Sequence, residues 1–305
     1  MQKLLIVGCG DVARRLLPRL LGHYRVFALV RDPEQLAFWR DKGAKPLLAD
    51  LDRPASLHRI AGLAEIIVHL APPATLRPSG EAGDRRDTRT RWLLAALARG
   101  VSLPQRIVYI STSGVYGDCA GDRVDETRAT CPGSARAHRR VDAERQLRDF
   151  GRRGVVVSIL RAPGIYAADR LPLERLRRGV AALRQADDVY TNHIHADDLA
   201  QMTCAALRYG RSNRAYNATD DSEIRMGDYF DLVADHFGLP RVPRLPCAEA
   251  RQQLSPLQWS FMSESRRLQN QRIKKELRVR LHYPRVEDGV AAAANSDDVE
   301  KDTRS

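Results

Sequence analysis

The stretch LLIVGCGDVA, residues 4–13, decides the fold. Residues 4–7 form a short apolar run with β-branched side chains, which predicts a buried strand. Residues 12–22 repeat leucine at helical spacing, and residues 26–30 (VFALV) predict a second strand. The chain therefore opens with a strand, a glycine turn, a helix and a strand, which together make a βαβ unit.

The glycine turn has the spacing of a dinucleotide-binding turn. Gly8 permits a tight turn, Gly10 lets a diphosphate approach the backbone, and Ala13 is small where helix packs on strand. The following helix begins with free N–H groups and a partial positive charge, which favour phosphate. The alternative is a glycine turn that serves packing alone. Because the turn lies between a strand and a helix, we expect these residues, with Asp11 and Val12, to contact a dinucleotide.

The end of the second strand indicates which dinucleotide is bound. An acidic residue there binds the ribose 2′-hydroxyl of NAD, whereas an arginine accommodates the 2′-phosphate of NADP. Arg31 occupies this position and Asp32 follows it. We therefore expect NADP to be preferred, with NAD as the alternative that Asp32 would serve.

Composition limits the class of protein and its partners. The 305 residues suffice for one large α/β domain or for a nucleotide-binding core with a smaller lobe. The net charge of +12 suggests nucleic acid, but the arginines are scattered among acids and only six of the 50 basic residues are lysine. We therefore expect a small-molecule substrate and neither nucleic acid nor membrane as partner.

The cysteines and the amino terminus indicate the cellular compartment in which we expect the protein. The five cysteines are odd in number and lack metal-ligand spacing, so we expect no metal site. The first apolar run is too short for a signal peptide, and no run approaches the ~20 residues of a membrane span. We therefore expect a reduced, cytoplasmic protein.

Strands and helices alternate through the first half of the chain. Apolar runs predict strands at residues 44–50, 65–70, 107–110 and 155–161, and helices are predicted between them, for example at 135–148. This order predicts a Rossmann-type α/β fold, a doubly wound parallel sheet with ligands at the carboxyl ends of its strands. The polar segment 77–89 is expected to be a flexible loop that opens a helix.

The pattern changes after Pro163. Helices are predicted near 173–183, at 226–238 and, with a basic face, at 264–277, whereas the Pro-rich segment 240–256 is expected to be irregular. The small and charged residues from 291 onward predict a disordered tail. We divide the chain into a nucleotide-binding core (1–165), a mixed region that completes the core and forms a smaller C-terminal substrate lobe (166–290), and the tail (291–305).

Together with the glycine turn, five further motifs carry a family resemblance. They are Asp50-Leu51, ISTSGVYG (residues 110–117), RAPGIY (161–166), HADDLA (195–200) and Tyr216-Asn217. With these motifs the chain resembles the NAD(P)-dependent epimerase/dehydratase family, the extended short-chain dehydrogenase/reductases, from residue 1 to about residue 290. The resemblance implies a Rossmann core, a smaller C-terminal lobe and a substrate that is a sugar nucleotide or a related small molecule. Homodimer formation is left open.

Two arguments indicate further cofactor-binding residues: their position at the ends of predicted strands, and the family resemblance. The pair Asp50-Leu51 lies where such folds touch the adenine, and the loop after residue 69 faces the centre of the cofactor. Besides the glycine turn and Arg31, the expected cofactor-binding residues are Asp50, Leu51, Leu70, Ala71, Pro72, Ser111, Arg140, Pro163 and Ile165.

Members of the family use a Ser or Thr, a Tyr and a Lys for catalysis. Thr112 lies at the Ser/Thr position, four residues before Tyr116, and its hydroxyl suits a hydrogen bond to the reacting oxygen. The alternative is that Thr112 satisfies a backbone group at the strand end. The helix that normally reads Tyr-x-x-x-Lys-x-x-Ala-Glu has its register fixed by Ala143-Glu144, which places Arg136 at the Tyr and Arg140 at the Lys.

The usual proton relay is therefore absent from the sequence. No tyrosine lies between Tyr116 and Tyr166, and no lysine lies between Lys45 and Lys274. Arg140 is expected to bind the ribose hydroxyls and supply positive charge, whereas Arg136 is not an ordinary acid because a guanidinium keeps its proton. In this respect the chain resembles the atypical branches of the family that have lost the Tyr-Lys pair.

Four other side chains are candidates for proton transfer or metal binding. His138 lies on a different helix face from Arg136, Tyr116 belongs to a loop, and the pair His193 and His195 lacks further metal ligands, so a structural role is expected for each. Two functional hypotheses remain. One is an NAD(P)-dependent oxidoreductase or epimerase with a rebuilt proton relay that includes Thr112 and Arg140. The other is a nucleotide-binding sensor without turnover.

Overall fold

The computed structural model describes residues 1–74 and 85–302. The strands in chain order are β1 (Lys3–Val7), β2 (Arg25–Val30), β3 (Lys45–Leu48), β4 (Ile66–His69), β5 (Arg106–Thr112), β6 (Arg123–Val124), β7 (Val156–Ala162), β8 (Gly164–Tyr166), β9 (Ala182–Leu183), β10 (Tyr190–Thr191), β11 (His193–His195), β12 (Arg214–Asn217), β13 (Ile224–Arg225), β14 (Arg244–Leu245) and β15 (Arg267–Leu268). The α-helices are α1 (Asp11–Leu21), α2 (Gln35–Asp41), α3 (Thr88–Leu97), α4 (Ala135–Gly151), α5 (Leu173–Arg177), α6 (Ala196–Tyr209), α7 (Met226–His236), α8 (Cys247–Gln253), α9 (Pro256–Met262), α10 (Gln271–Leu277) and α11 (Val286–Asp302). Short 3₁₀ helices cover Pro54–Ile60, Ser113–Tyr116 and Ala168–Arg170.

Within these residues, seven strands form one parallel sheet in the order β3-β2-β1-β4-β5-β7-β12. Leu5 of β1 pairs with Phe27 of β2 on one side and with Ile67 of β4 on the other. The direction in which successive strands are added reverses between β1 and β4, and such a point opens a crevice at the carboxyl ends of the strands. The predicted doubly wound parallel sheet is confirmed.

Helices cover both faces of the sheet, which explains why its strands are nearly continuous apolar runs. On one face, α1 and α6 bury Leu16, Leu20 and Met202 against β1 and β4. On the other face, α3 and α4 bury Leu93 and Leu147. The four residues of β1 from Leu4 to Val7 are fully buried between these two layers, so the glycine turn that follows them is held in place on both sides.

Residues beyond 166 serve two parts of the structure. β12 is the seventh strand of the central sheet, and α6 and α10 pack on its core. The remaining elements surround a separate apolar cluster that includes Leu176, Phe230, Val233 and Val290. This cluster forms the core of a smaller C-terminal lobe, which lies beside the carboxyl ends of the sheet strands.

The structure corrects three predictions of secondary structure. The helix expected near 173–183 ends at Arg177, because Gly179 adopts a positive φ and Ala182–Leu183 then pairs with β14. The helix expected at 264–277 spans only Gln271–Leu277, and the segment before it pairs with β6. The segment 240–256, expected to be irregular, contains β14 and α8.

The predicted disordered tail is wrong up to residue 302. Helix α11 runs from Val286 to Asp302, and Val290, Ala293 and Ala294 are buried. The small residues that suggested disorder instead allow this helix to pack closely. Of the expected loop at 77–89, residues 77–84 lie outside the described residues, as do residues 303–305 of the tail.

None of the helices in the two described ranges is long and apolar enough to cross a bilayer.

Candidate functional site

A cavity of about 520 Å³ lies at the carboxyl ends of the strands, where their order reverses. It is walled by the glycine turn, the ends of β2 and β3 and the loop after β4. Most of the residues predicted to bind the cofactor line this cavity, namely Gly8, Gly10, Asp11, Val12, Ala13, Arg31, Asp50, Leu51, Leu70, Ala71, Pro72 and Ile165. The fold thus brings together motifs that are up to about 150 residues apart in the sequence.

The two glycines of the turn have different roles. Gly8 has a φ of +99°, and a Cβ built there would lie 2.4 Å from the backbone nitrogen of Ala71. The backbone N–H groups of Leu70 and Ala71 donate to the Val7 carbonyl at 2.7 and 3.0 Å, which fixes this close approach. A Cβ at Gly10 would meet no protein atom within 4 Å, so the space beside Gly10 is left to a ligand.

Helix α1 begins at this space. Gly10 is its N-cap and no side chain caps its first turn, so the first N–H groups are left to a ligand or solvent. An uncapped helix start beside an open glycine is the arrangement that receives a diphosphate. The residues present therefore fit a dinucleotide, with Gly10, Asp11 and Val12 around its diphosphate.

Two arginines surround Asp11, the acidic residue at this site. Arg15 Nε donates to Asp11 at 3.0 Å and Arg170 Nη1 donates at 3.3 Å. Without them, the carboxylate would repel a bound phosphate. Arg15 also binds Asp197, at the start of α6, at 3.1 Å. Arg170, which lines the cavity from the 3₁₀ helix Ala168–Arg170, was missed because nothing in its local sequence marks it.

Arg31 and Asp32 both line the part of the cavity beyond β2. One carboxylate oxygen of Asp32 accepts a hydrogen bond from the Glu34 N–H at 3.0 Å, within its own turn. Arg31 is exposed and has no hydrogen-bond or ion-pair partner among the described residues. The guanidinium is thus the group at this edge that is available to an added phosphate.

A second cavity, of about 880 Å³, lies between the sheet ends and the C-terminal lobe. Pro72 and Ile165 line both cavities, as do Arg31, Arg89 and Arg170, so the two cavities lie side by side. Thr112, Arg140 and Pro163 line the second cavity. A molecule in this space would therefore lie beside the end of a cofactor that extends past Pro72.

Ser111 is a predicted cofactor residue that the structure places outside both cavities. Its hydroxyl is buried and donates to Glu144 Oε1 at 2.7 Å. Because side chains alternate along a strand, Ser111 points towards α4 while Thr112 points towards the cavity. The Ser111 hydroxyl is thus used at the strand end, in the hydrogen bond to Glu144.

The Thr112 side chain makes the backbone contact that was stated as the alternative role for it. Its Oγ1 accepts a hydrogen bond from the Gly114 N–H at 3.2 Å and caps the 3₁₀ helix Ser113–Tyr116. This contact uses the hydroxyl oxygen as an acceptor and leaves its hydrogen to donate elsewhere. A substrate oxygen in the second cavity is a suitable acceptor.

Arginines on α4 face the second cavity where the family has its Tyr-Lys pair. Arg136, Arg139 and Arg140 all line it. Arg140 Nη1 donates to the Tyr109 hydroxyl at 2.8 Å and to the Ile110 carbonyl at 2.9 Å. These acceptors hold the guanidinium against β5, at the base of the cavity.

Neither alternative proton donor is brought to the cavities. The Tyr116 hydroxyl is buried and donates to Asn217 Oδ1 at 2.8 Å, and His138 lines neither cavity of the described residues. His195 caps α6, with its Nδ1 accepting from the Asp197 N–H at 3.2 Å. No group of three or more His, Cys, Asp or Glu side chains in residues 1–74 and 85–302 is arranged to hold a metal ion.

His193 does reach the second cavity, together with Tyr229. The His193 ring is buried and lies 4.2 Å, centroid to centroid, from the ring of Tyr229. Burial lowers the pKa of His193 to about 3, so the imidazole is neutral at physiological pH and available for hydrogen bonding. The contact joins β11 to α7, and no local pattern in the sequence predicts it.

Comparison with known proteins agrees with this geometry. The family model described as "NAD dependent epimerase/dehydratase family" matches residues 4–219. No curated protein matches the chain.

Among solved structures, a functionally unknown conserved protein from Silicibacter pomeroyi is 29% identical, with a TM-score of 0.76 over 97% of this chain and 99% of that one. UDP-glucose 4-epimerase from Thermotoga maritima, solved with UDP-glucose, is 18% identical, with a TM-score of 0.77 over 99% and 100%. MoeE5, solved with UDP-glucose and NAD, is 18% identical, with a TM-score of 0.76 over 98% and 99%. The family match covers more than half of the chain and the fold agrees throughout, so the chain belongs to the NAD-dependent epimerase/dehydratase family.

Proposed function

We propose that the protein is an NAD(P)-dependent oxidoreductase or epimerase-type enzyme that acts on a small molecule and prefers NADP(H). The observation that supports this most is that the two cavities lie side by side and share Pro72 and Ile165 as lining residues. A dinucleotide held at Gly10 would extend towards this junction, and Thr112 faces the space beyond it. Relatives solved with UDP-glucose are consistent with a sugar nucleotide as one class of substrate.

The chain's own residues suit charge stabilisation better than proton transfer. The cofactor, when bound, supplies or accepts a hydride. Thr112 then donates a hydrogen bond to the reacting oxygen, and Arg140 places positive charge nearby. A guanidinium stabilises developing negative charge but keeps its proton, so the final proton reaches the substrate through Thr112 or from water.

We expect the protein to bind NADPH about tenfold more tightly than NADH, because a charge-assisted hydrogen bond to the 2′-phosphate contributes about 1.5 kcal/mol at an exposed site. Arg31→Ala should remove this preference by weakening NADPH binding and leaving NADH binding unchanged. Titration of nicotinamide fluorescence with both cofactors measures the two affinities. Arg40→Ala, on the exposed side of α2, is the matched control. Equal affinities in the native protein would contradict the assignment of Arg31.

Substitution of Thr112 tests the proposed chemistry. Once a screen that follows nicotinamide absorbance has identified a substrate, Thr112→Val should lower kcat by about 100-fold, since the loss of one donor to a developing oxyanion costs about 2.7–4 kcal/mol. Thr112→Ser keeps the hydroxyl and should retain most of the rate. NADPH affinity should be the same in both variants. An unchanged kcat in Thr112→Val would exclude Thr112 from the reaction.

The second candidate function is a dinucleotide-binding sensor without turnover. The observation that favours it is the pair of arginines at positions 136 and 140, which replaces the family's Tyr and Lys. A protein that binds NADPH tightly but turns over no compound in a broad screen of carbonyl compounds and sugar nucleotides would support this function.

A further inference from the structure

The orientation of Arg140 is fixed by two neutral acceptors. Nη1 uses one hydrogen on the Tyr109 hydroxyl and the other on the Ile110 carbonyl. Tyr109 is fully buried, and this burial raises its pKa to about 12, so the hydroxyl stays neutral. The Nε–H and Nη2–H groups have no partner among the described residues, and Arg140 lines the second cavity. One edge of the guanidinium is anchored, therefore, and the other is left to a ligand.

No carboxylate in residues 1–74 and 85–302 forms an ion pair with Arg140, although its charge acts on the buried Asp87, whose pKa burial raises and Arg140 partly lowers again. The other charged side chains that line the second cavity, within the described residues, are Arg31, Arg89, Arg136, Arg139, Arg170, Arg266 and one acid, Glu264. Glu264 binds Arg266 at 2.8 Å, so this carboxylate is already paired with another arginine. Arg136 and Arg139 make contacts of their own.

The positive charge of Arg140 affects the pKa of a neighbouring arginine. The pKa of Arg136 is lowered, first by desolvation and next by the charge of Arg140. Cations held this close on one helix face repel each other, and an anion in the cavity would relieve the repulsion. A neutral ligand would not relieve this repulsion.

We propose that Arg140 binds an oxyanion of the substrate side-on through Nε–H and Nη2–H, with Tyr109 as its positioning residue, so that the substrate carries a phosphate or carboxylate group. This inference rests on the proposed function and names the class of its substrate. The side-on edge of a guanidinium matches two oxygens of either group, and such paired, charge-assisted bonds are stronger than bonds to neutral hydroxyls. In this arrangement the free N–H groups of Arg140 bind an anionic group of the substrate instead of the nicotinamide ribose.

Anion binding to the NADP⁺-saturated protein tests this inference. Saturation keeps the probes out of the dinucleotide cavity, and the probes are inorganic phosphate and malonate, titrated separately by calorimetry. We expect binding in the millimolar range, about 1–10 mM for small anions, and the tighter probe identifies the preferred anion. Arg140→Gln should weaken it about tenfold or more. Arg140→Lys keeps the charge without the planar edge of the guanidinium, so its anion affinity should lie between those of the native protein and Arg140→Gln. Arg145→Gln, an exposed arginine on the same helix, should bind like the native protein.

Tyr109→Phe tests the positioning role. It removes the hydroxyl that anchors Nη1, so we expect anion affinity to fall about threefold to tenfold while NADP⁺ affinity and the thermal unfolding midpoint stay the same. A purely structural role would shift the midpoint and leave the anion affinity unchanged.

Three results would overturn the inference. They are an NADP⁺-bound protein that binds neither probe, an Arg140→Gln variant with unchanged anion affinity, and an Arg140→Gln variant that loses NADP⁺ affinity alone. The last result would indicate instead that Arg140 binds the ribose hydroxyls of the cofactor. If the protein binds no dinucleotide, the proposed function fails, and the same titrations on the cofactor-free protein still decide whether Arg140 holds an anion.

Discussion

Replacing Gly10 with alanine is expected to lower NADPH affinity by more than about 100-fold, or about 2.7 kcal/mol, while the protein stays folded. The added Cβ would meet no protein atom within 4 Å, so it creates no clash in the free protein. It would occupy the space through which a diphosphate approaches the backbone. The cost to stability should stay below about 1 kcal/mol, since Gly10 is the N-cap of α1 and alanine is a poorer cap.

Gly8→Ala is the matched control, because the same methyl group two residues earlier should damage the fold itself. It would lie 2.4 Å from the backbone nitrogen of Ala71, at a φ of +99°, and we expect a loss of about 2–5 kcal/mol of unfolding free energy. Chemical denaturation measures stability and nicotinamide fluorescence measures binding. If Gly10→Ala bound NADPH as tightly as the native protein, the diphosphate would not lie at this turn.

The glycine turn could be predicted from sequence because its determinants are local. Residues 4–13 contain the strand, both glycines and the start of the helix, and the requirement at Gly8 follows from tight-turn geometry. The buried parallel strands were equally visible as apolar runs. Their parallel arrangement could be inferred from the alternation of strands and helices, since parallel strands need a crossover between them.

Features that depend on long-range contacts could not be predicted. The basic segment before α10 was expected to be helical, but Arg266 donates to the Gly117 carbonyl at 2.7 Å and Arg267 to the Gly121 carbonyl at 2.8 Å. These contacts hold the segment extended against β6. The stacking of His193 on Tyr229 likewise joins two elements whose contact follows only from the assembled lobe.

For the site residues on β5 and α4, the sequence predicted positions but not hydrogen-bond partners. Arg140, which the register of the Ala143-Glu144 motif assigns to the Lys position, lines the second cavity. The motif did not show that Tyr109 and Ile110 occupy one nitrogen of Arg140. It also did not show that the Ser111 hydroxyl donates to Glu144. The motif specifies a position in the chain, whereas the hydrogen bonds depend on how strand and helix pack.

Glu144→Gln is expected to cost about 3–5 kcal/mol of unfolding free energy, because it leaves a buried guanidinium without its counter-charge. Arg161 Nε and Nη2 donate to the two carboxylate oxygens at 3.1 and 2.7 Å, and both side chains are 5% exposed. The Ser111 hydroxyl donates to the same carboxylate at 2.7 Å. The pair thus joins α4 to the ends of β5 and β7, so its loss should also weaken dinucleotide binding.

The surface pair of Arg123 and Glu223 is the control for this buried pair. Its atoms are nearly as close, at 3.0 Å, and Arg267 also lies 3.4 Å from Glu223, but the side chains of the pair are 60% and 41% exposed. Glu223→Gln should therefore change stability by at most about 0.5 kcal/mol. A double variant, Glu144→Leu with Arg161→Met, removes both buried charges and should recover much of the loss seen in Glu144→Gln. Urea denaturation of the four proteins gives the comparison. Equal small losses of unfolding free energy for Glu144→Gln and Glu223→Gln would mean that water or another group compensates the Arg161 charge. Apolar packing alone would then have to join α4 to the strand ends.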